Sequence, residues 1–341
     1  MLNAELIKRR RRRRSIGLIL LLLITLLCVM LSLAMGSKPL PLSDVWRHYW
    51  LAQETGYNDL VINLRESRTL TGLLVGAALA LSGALTQGLL RNPLADPGIL
   101  GVNAGAAAMV VTFSFFPLLE ALPRFWPALG GAALATLVFF MLGGGQRHTS
   151  AARLVLTGAA INACLFAYVQ SVVLLNARVM DSYRFWTIGS LSEQSLSQSL
   201  SMLSWMMPVL LLTPLLGSSL NVLAFGEASA SALGVNIRRV RLQTLIVATV
   251  LAATATAMAG PIAFIGLAAP HLMRALVGSD FRWLLPYSAL AGACLLLLAD
   301  IVARWIVAPA EIMVGIVTAS LGGMLLWLVA KRSRRFNDVA S

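Results

Sequence analysis

The stretch Leu220-Asn-Val-Leu-Ala-Phe-Gly-Glu-Ala-Ser-Ala-Ser-Ala-Leu-Gly-Val-Asn-Ile-Arg-Arg-Val-Arg241 interrupts two long apolar runs, 199–217 and 240–258. Gly226 and Gly234 bracket Glu227-Ala-Ser-Ala-Ser-Ala-Leu233, a run of good helix formers that ends on glycine, which is a helix stop signal. The pattern predicts a short helical knob between two membrane-length helices, its Ala/Ser face suited to a groove in another protein. A chain working wholly inside a bilayer has no need of such a knob, whereas one moved by a soluble partner does. An ordinary solvated loop helix is the plainer alternative.

Working outward, the chain of 341 residues is 58% hydrophobic and 12% charged, so a soluble fold would expose more apolar surface than monomers tolerate. Apolar runs of about 18 to 22 residues recur, each long enough to cross a hydrocarbon core of roughly 30 Å as a helix. No alternating barrel pattern accompanies them. The expected architecture is an all-α integral membrane bundle with spans at 16–35, 66–90, 98–116, 125–143, 153–175, 199–217, 240–258, 260–278, 284–304 and 311–330. Gly260-Pro261 lies between two of these and reads either as a joint or as a kink in one longer or re-entrant segment. The whole chain, 1–341, forms one domain, with a basic tail at 1–15, the polar segment at 218–239 and a second tail at 331–341. Span composition such as Thr71-Gly-Leu-Leu-Val-Gly-Ala-Ala-Leu-Ala-Leu-Ser-Gly-Ala84 allows close helix approach.

Lysine and arginine set the orientation, because cytoplasmic flanks carry the excess. Lys8 with Arg9–Arg14, Arg91, Arg147, Arg153, Arg238, Arg239, Arg241, Arg274, Arg282 and Lys331–Arg335 all fall on one side, which places both termini in the cytoplasm. The net charge of +13 belongs to this bias and not to nucleic-acid binding. The apolar run after Arg14 is longer than the core of a usual cleavable signal, so it reads as a retained span, with cleavage as the alternative. Cys28, Cys164 and Cys294 sit in separate spans, far apart in sequence, and read as packing residues rather than a disulfide or zinc framework.

Functional candidates are few. Asp300 is the acid well inside a span, four residues before Arg304, so the two can pair on one helix face; a proton relay is the alternative. No P-loop, HExxH or G-x-S-x-G motif is present, so any ATPase must be another chain. The loop Arg91-Asn-Pro-Leu-Ala-Asp-Pro-Gly98 is a rigid turn, read as a connector or as a gate at the inner mouth of a cavity. Gly260-Pro-Ile-Ala-Phe-Ile-Gly-Leu-Ala-Ala-Pro-His271 is a comparable break in the second half, a pointer to internal repeats. Arg65, Arg68 and Arg304 lie at outer span ends, where they either snorkel to lipid phosphates or present guanidinium forks to the carboxylates of an extracytoplasmic partner.

Five ordered motifs carry a resemblance: Arg65-Glu-Ser-Arg-Thr-Leu70 with Gly83-Ala-Leu-Thr-Gln87; Arg91-Asn-Pro-Leu-Ala-Asp-Pro-Gly-Ile-Leu-Gly101; Gly226-Glu-Ala with Leu233-Gly-Val235; Gly260-Pro-Ile-Ala-Phe-Ile-Gly266 with Pro270-His271; and Leu298-Ala-Asp-Ile-Val-Ala-Arg304. Over residues 36–332 the chain resembles the permease subunits of bacterial ABC importers for iron-siderophores, haem and vitamin B12. The resemblance implies a bundle of ten transmembrane helices of the type II importer permease kind, in the inner membrane. It also implies a second permease subunit, identical or paralogous, ATPase subunits that hold ATP and Mg, and a periplasmic or lipid-anchored binding protein.

Carried over residue by residue, it makes Gly226, Glu227, Ala228, Leu233 and Gly234 the coupling surface, and Arg65, Arg68 and Arg304 the docking residues. Asn92, Pro93 and Leu94 become the cytoplasmic gate. Hydroxyl residues that form a second gate in some members are replaced by Ala151 and Ala152. No catalytic residue, metal site or cofactor of its own is implied for this chain. A ferric siderophore is the expected cargo, in part from the Gly143-Gly-Gly-Gln-Arg-His148 loop; haem or vitamin B12 is the alternative within the family, and a proton-coupled transporter using Asp300 the alternative outside it.

Overall fold

The computed structural model describes residues 2–37, 41, 46, 50, 57–120, 122–144, 151–192, 194–324 and 327. The expected tail 331–341, most of 38–56, the Gly145–His148 part of the glycine loop and the end of the span 311–330 lie outside the described residues, as do the side chains of Ala151, Ala152, Glu227 and Ala228.

Every regular element among the described residues is helical. The principal helices are α1 (Leu2–Ala34), α2 (Tyr57–Leu90), α3 (Val102–Phe115), α4 (Phe125–Phe139), α5 (Ala151–Leu175), α6 (Ala177–Ile188), α7 (Leu196–Leu212), α8 (Gly217–Ala224), α9 (Glu227–Ala232), α10 (Ile237–Ala259), α11 (Ile265–Val277), α12 (Phe281–Trp305) and α13 (Val314–Met324). Each of the ten expected spans overlies an apolar helix. Seven helical stretches among the described residues are long and apolar enough to cross a membrane, and three are shorter: α3, α11 and α13.

Two regions differ from the sequence expectation. Helix α1 begins at Leu2 instead of residue 16, because arginine is a good helix former and the helix carries the Lys8–Arg14 run beyond the apolar stretch. The connection 176–198, between the expected spans 153–175 and 199–217, contains α6, started by Asn176, whose Oδ1 accepts from the N–H groups of Arg178 (3.0 Å) and Val179 (3.4 Å).

Helix α2 is the centre of the bundle, packed against α7, α10, α11 and α12. Lipid tails are as apolar as leucine, so association inside a bilayer depends on close packing more than on burial from water. Small residues supply it. A Cβ on Gly83 would overlap the Gly266 carbonyl oxygen, so α2 and α11 touch backbone to backbone there. Gly76 and Gly292 bring α2 and α12 together in the same way. A second cluster joins α3, α4 and α5 through Ala106, Val110, Ala128, Ala132, Ile161 and Val169, with Trp186 of α6 packed into it, and α10 contributes to both clusters. Cys28 and Cys294, remote in sequence, share a small cluster with Leu297 that seats α1 on α12, while Cys164 is exposed.

Gly260-Pro261 is a true break. Gly260 (φ +72°) ends α10, and α11 starts only at Ile265, after Phe264 in a left-handed conformation. Carbonyls freed near the break find donors in a neighbouring segment: Ser190 N–H donates to Ala259 O (2.8 Å) and Gln194 Nε2 to Met258 O (2.9 Å). The Phe264 ring occupies the place that a side chain on Gly322 would need.

Candidate functional site

Arg65, Arg68 and Arg304 converge on one charge cluster. Arg65 and Arg68 are three residues apart on α2 and share a face. Arg65 Nη1 donates to the carbonyls of Leu33 (3.0 Å) and Ala34 (2.9 Å), capping the C-terminus of α1 with a cation. Arg68 donates through Nε to Asp300 Oδ1 (2.8 Å) and through Nη1 to Glu311 Oε2 (2.6 Å). Arg304, only 2% exposed, donates to Ser32 O and Ser32 Oγ, both at 3.0 Å. Its Nη2 also lies 3.0 Å from Asp300 Oδ2, an ion-pair distance without hydrogen-bond geometry, so Oδ2 keeps no hydrogen-bond donor.

All three arginines are buried, and Asp300 is fully enclosed between two of them. The i,i+4 pairing of Asp300 with Arg304 expected from spacing is present, and Arg68 adds a second cation that spacing does not reveal. Glu311 is the most exposed member, its side chain 38% exposed, and its other oxygen accepts from Ser37 Oγ (3.3 Å). Burial alone would raise the Glu311 carboxyl, but the Arg68 hydrogen bond and charge outweigh it and hold the group below the usual glutamate value. Glu311 is not among the residues expected from sequence, because nothing local ties it to a residue 243 positions away.

At the other end, the Arg91–Gly98 loop is held by side-chain caps. Asn92 Oδ1 accepts from Leu94 N–H (3.0 Å), and Asp96 Oδ1 accepts from Gly98 N–H (2.7 Å), starting a single 3-10 turn, Pro97–Leu100. Burial pushes the Asp96 carboxyl above its usual range, partly offset by the Gly98 hydrogen bond. Pro93 sits inside the turn and Leu94 is exposed. Asn162 Nδ2 donates to Gly98 O (3.1 Å), tying the loop to α5.

The knob read from sequence forms as α9, a helix of six residues, with Gly226 (φ +106°) before it and Gly234 (φ +75°) after it. Ala230 is its buried anchor, and Val235 N–H closes back on Ala230 O (3.1 Å). Phe225 and Leu233 flank it and are 78% and 69% exposed, which gives the knob an apolar surface beyond its Ala/Ser face. Phe225 is hard to single out from sequence because it closes an apolar run and looks like part of the preceding helix.

Between these ends, behind the Gly260-Pro261 break, lies a cavity of about 480 Å³ lined by Asn103, Asn162, Phe166, Tyr183, Thr187 and Pro261, among others. Its lining carries no charge. Thr256 Oγ1 donates to Asn103 Oδ1 (2.9 Å), orienting that amide at its edge.

Comparison with known proteins fits this arrangement. The model of the FecCD transport family matches residues 22–332. The chain is 43% identical over 315 residues to the ferric enterobactin transport system permease protein FepD of Escherichia coli (strain K12), covering 91% of this chain and 93% of FepD. It is 41% identical over 320 residues to the hemin transport system permease protein HmuU of Yersinia pestis, covering 90% and 94%. A solved structure described as an inward-facing conformation of a metal-chelate type ABC transporter superposes with a TM-score of 0.80 at 29% identity, over 93% of this chain and 99% of the other. With a helical bundle matched nearly end to end and the family model spanning most of the sequence, this chain belongs to the FecCD transport family and is a membrane transport permease.

Proposed function

We propose that this chain is the membrane subunit of an ATP-driven importer that passes a ferric siderophore into the cytoplasm. The observation that carries the cargo is the 43% identity, over nearly all of both chains, to a permease named for ferric enterobactin. Haem is the second reading, supported by the 41% identity to a permease named for hemin. The uncharged polar and aromatic lining of the 480 Å³ cavity is compatible with a chelate whose metal is already wrapped, so the permease makes no bond to iron.

In this reading both termini lie in the cytoplasm. A loaded binding protein docks at the outer face on Arg65, Arg68 and Arg304. Its carboxylate replaces Glu311 on Arg68, since Glu311 is the exposed member of that pair. Separate ATPase subunits, which hold ATP and Mg, seat the Gly226–Gly234 knob, with Phe225 and Leu233 on either side of α9, and their movement rocks this subunit against a second permease subunit. The turn at Asn92, Pro93 and Leu94 closes the inner mouth. The test is uptake of radiolabelled ferric catecholates, ferric hydroxamates and haem by cells that depend on this permease. Uptake of a ferric siderophore with no haem uptake is expected; haem uptake alone would replace the first reading with the second.

A further inference from the structure

A second feature lies apart from the outer cluster, the gate and the knob: a cleft of about 660 Å³ between α1 and the α11–α12 corner. Arg10, Arg13, Gly17, Leu20 and Ile24 line it from α1, spaced by three or four residues so that they form one stripe along the helix, with Arg14 beside it. The stripe changes character along its length, cationic at one end and apolar at the other.

The cations have different duties. Arg14 is a bolt: it donates to Val277 O and pairs with Asp280 Oδ2 at 3.3 Å, while Tyr287 Oη donates to Arg14 O (2.6 Å). A Cβ on Gly17 would overlap Tyr287 Oη, so α1 is pressed against α12 here. Arg10 and Arg13 are exposed and have no ion-pair or hydrogen-bond partner among the described residues. Arg274, on α11, spends Nη2 on Gln87 Oε1 (3.0 Å), and its Nη1 is buried with no acceptor among the described residues. The acid at the rim, Asp280, is already taken by Arg14 and by Asn221 Nδ2 (2.6 Å). Three guanidinium groups thus border one cleft: Arg10 and Arg13 are open to an incoming anion, and Arg274 holds a buried N–H without an acceptor among the described residues, where buried polar groups are ordinarily satisfied.

Past Gly17 the cleft is walled by Leu20, Leu21, Ile24 and Leu276, with Leu20, Ile24 and Leu276 exposed. Arg13 to Ile24 covers roughly 16 Å of helix, about half of a hydrocarbon core. A soluble anion would use only the cationic end. We propose that this cleft binds an anionic phospholipid, its phosphate on Arg10, Arg13 and Arg274 and an acyl chain along Leu20, Ile24 and Leu276. Basic pockets between membrane helices hold lipid headgroups by the same combination of charge and apolar wall.

The test is native mass spectrometry of the purified full-length chain in detergent, titrated with phosphatidylglycerol or with phosphatidylethanolamine of the same acyl chains. The wild type is expected to retain phosphatidylglycerol in preference. Arg10→Gln/Arg13→Gln should lower that preference by roughly tenfold or more, given the pull of each surface arginine on anionic lipid. Arg11→Gln/Arg12→Gln removes the same charge from other faces of α1 and should leave the preference intact. Equal losses in the two doubles would reduce the effect to diffuse charge and overturn the site. Displacement of the lipid by equimolar inorganic phosphate would overturn it in favour of a soluble anion, and absence of any lipid preference would overturn it outright.

Discussion

The two ends of the bundle hold arginines in opposite conditions. At one end Arg65, Arg68 and Arg304 are buried and committed to fixed acceptors: helix carbonyls, Ser32, Asp300 and Glu311. At the end that holds the start of α1, Arg10 and Arg13 stand exposed, and among the described residues only Arg14 of that run is bolted to α11 and α12. The buried guanidinium groups of this cluster thus come with their acceptors built in, carbonyls for Arg65 and carboxylates for Arg68 and Arg304, whereas one at the surface can wait for a partner. Within this cluster Glu311 is the exposed carboxylate, the one that the proposed docking would exchange.

The largest effect should come from removing the shared counter-charge. Asp300→Asn leaves Arg68 and Arg304 without the carboxylate between them and is expected to cost about 3–5 kcal/mol, the range for breaking a buried pair. The matched change at the other end, Asp280→Asn, keeps its capping oxygen and loosens a partly exposed pair, for roughly 0–1 kcal/mol. Thermal unfolding of both variants in detergent measures the contrast, and equal losses would break it. Next in size is Gly83→Ala, which touches neither end: its methyl would overlap the Gly266 carbonyl, at an expected cost of about 1–3 kcal/mol from overpacking. A neutral result in the same assay would mean that the α2–α11 contact relaxes freely.

The smallest effect belongs to Glu311. Its folded value is lowered, so the stability it contributes is complete above the ordinary glutamate value, falls as pH drops below that value, and is gone beneath the lower folded value. Glu311→Gln should remove this acid limb from the pH dependence of the unfolding midpoint, by a small amount because the pair is open to solvent. In a pull-down with the binding protein, the same variant should raise affinity by freeing Arg68. An unchanged acid limb and unchanged affinity together would show that Glu311 is not the exchangeable arm.

What the residue order makes legible is what local composition controls. Ten apolar runs read as ten helices because each run is its own signal, and Gly226 and Gly234 mark the knob because helix stops are local. Asp300 and Arg304 read as a pair because they are one turn apart. The rest depends on long-range contacts. Arg68 meets Asp300 across 232 positions, and Arg274 meets Gln87 across 187, so no periodicity announces either. Helix α6 is hidden for another reason: polar residues around 181–198 resemble a loop, although Asn176 is an ordinary cap. Helix α1 overruns its apolar stretch because helix propensity does not stop where the membrane does.

Energy for transport enters through the inner knob in this scheme, and the most direct measurement is ferric siderophore uptake by Glu227→Arg at a membrane level equal to the wild type. A charge reversal at the first residue of α9 is predicted to abolish uptake while leaving the unfolding midpoint unchanged, since the knob stands apart from the packed core. Normal uptake by that variant would contradict the coupling assignment.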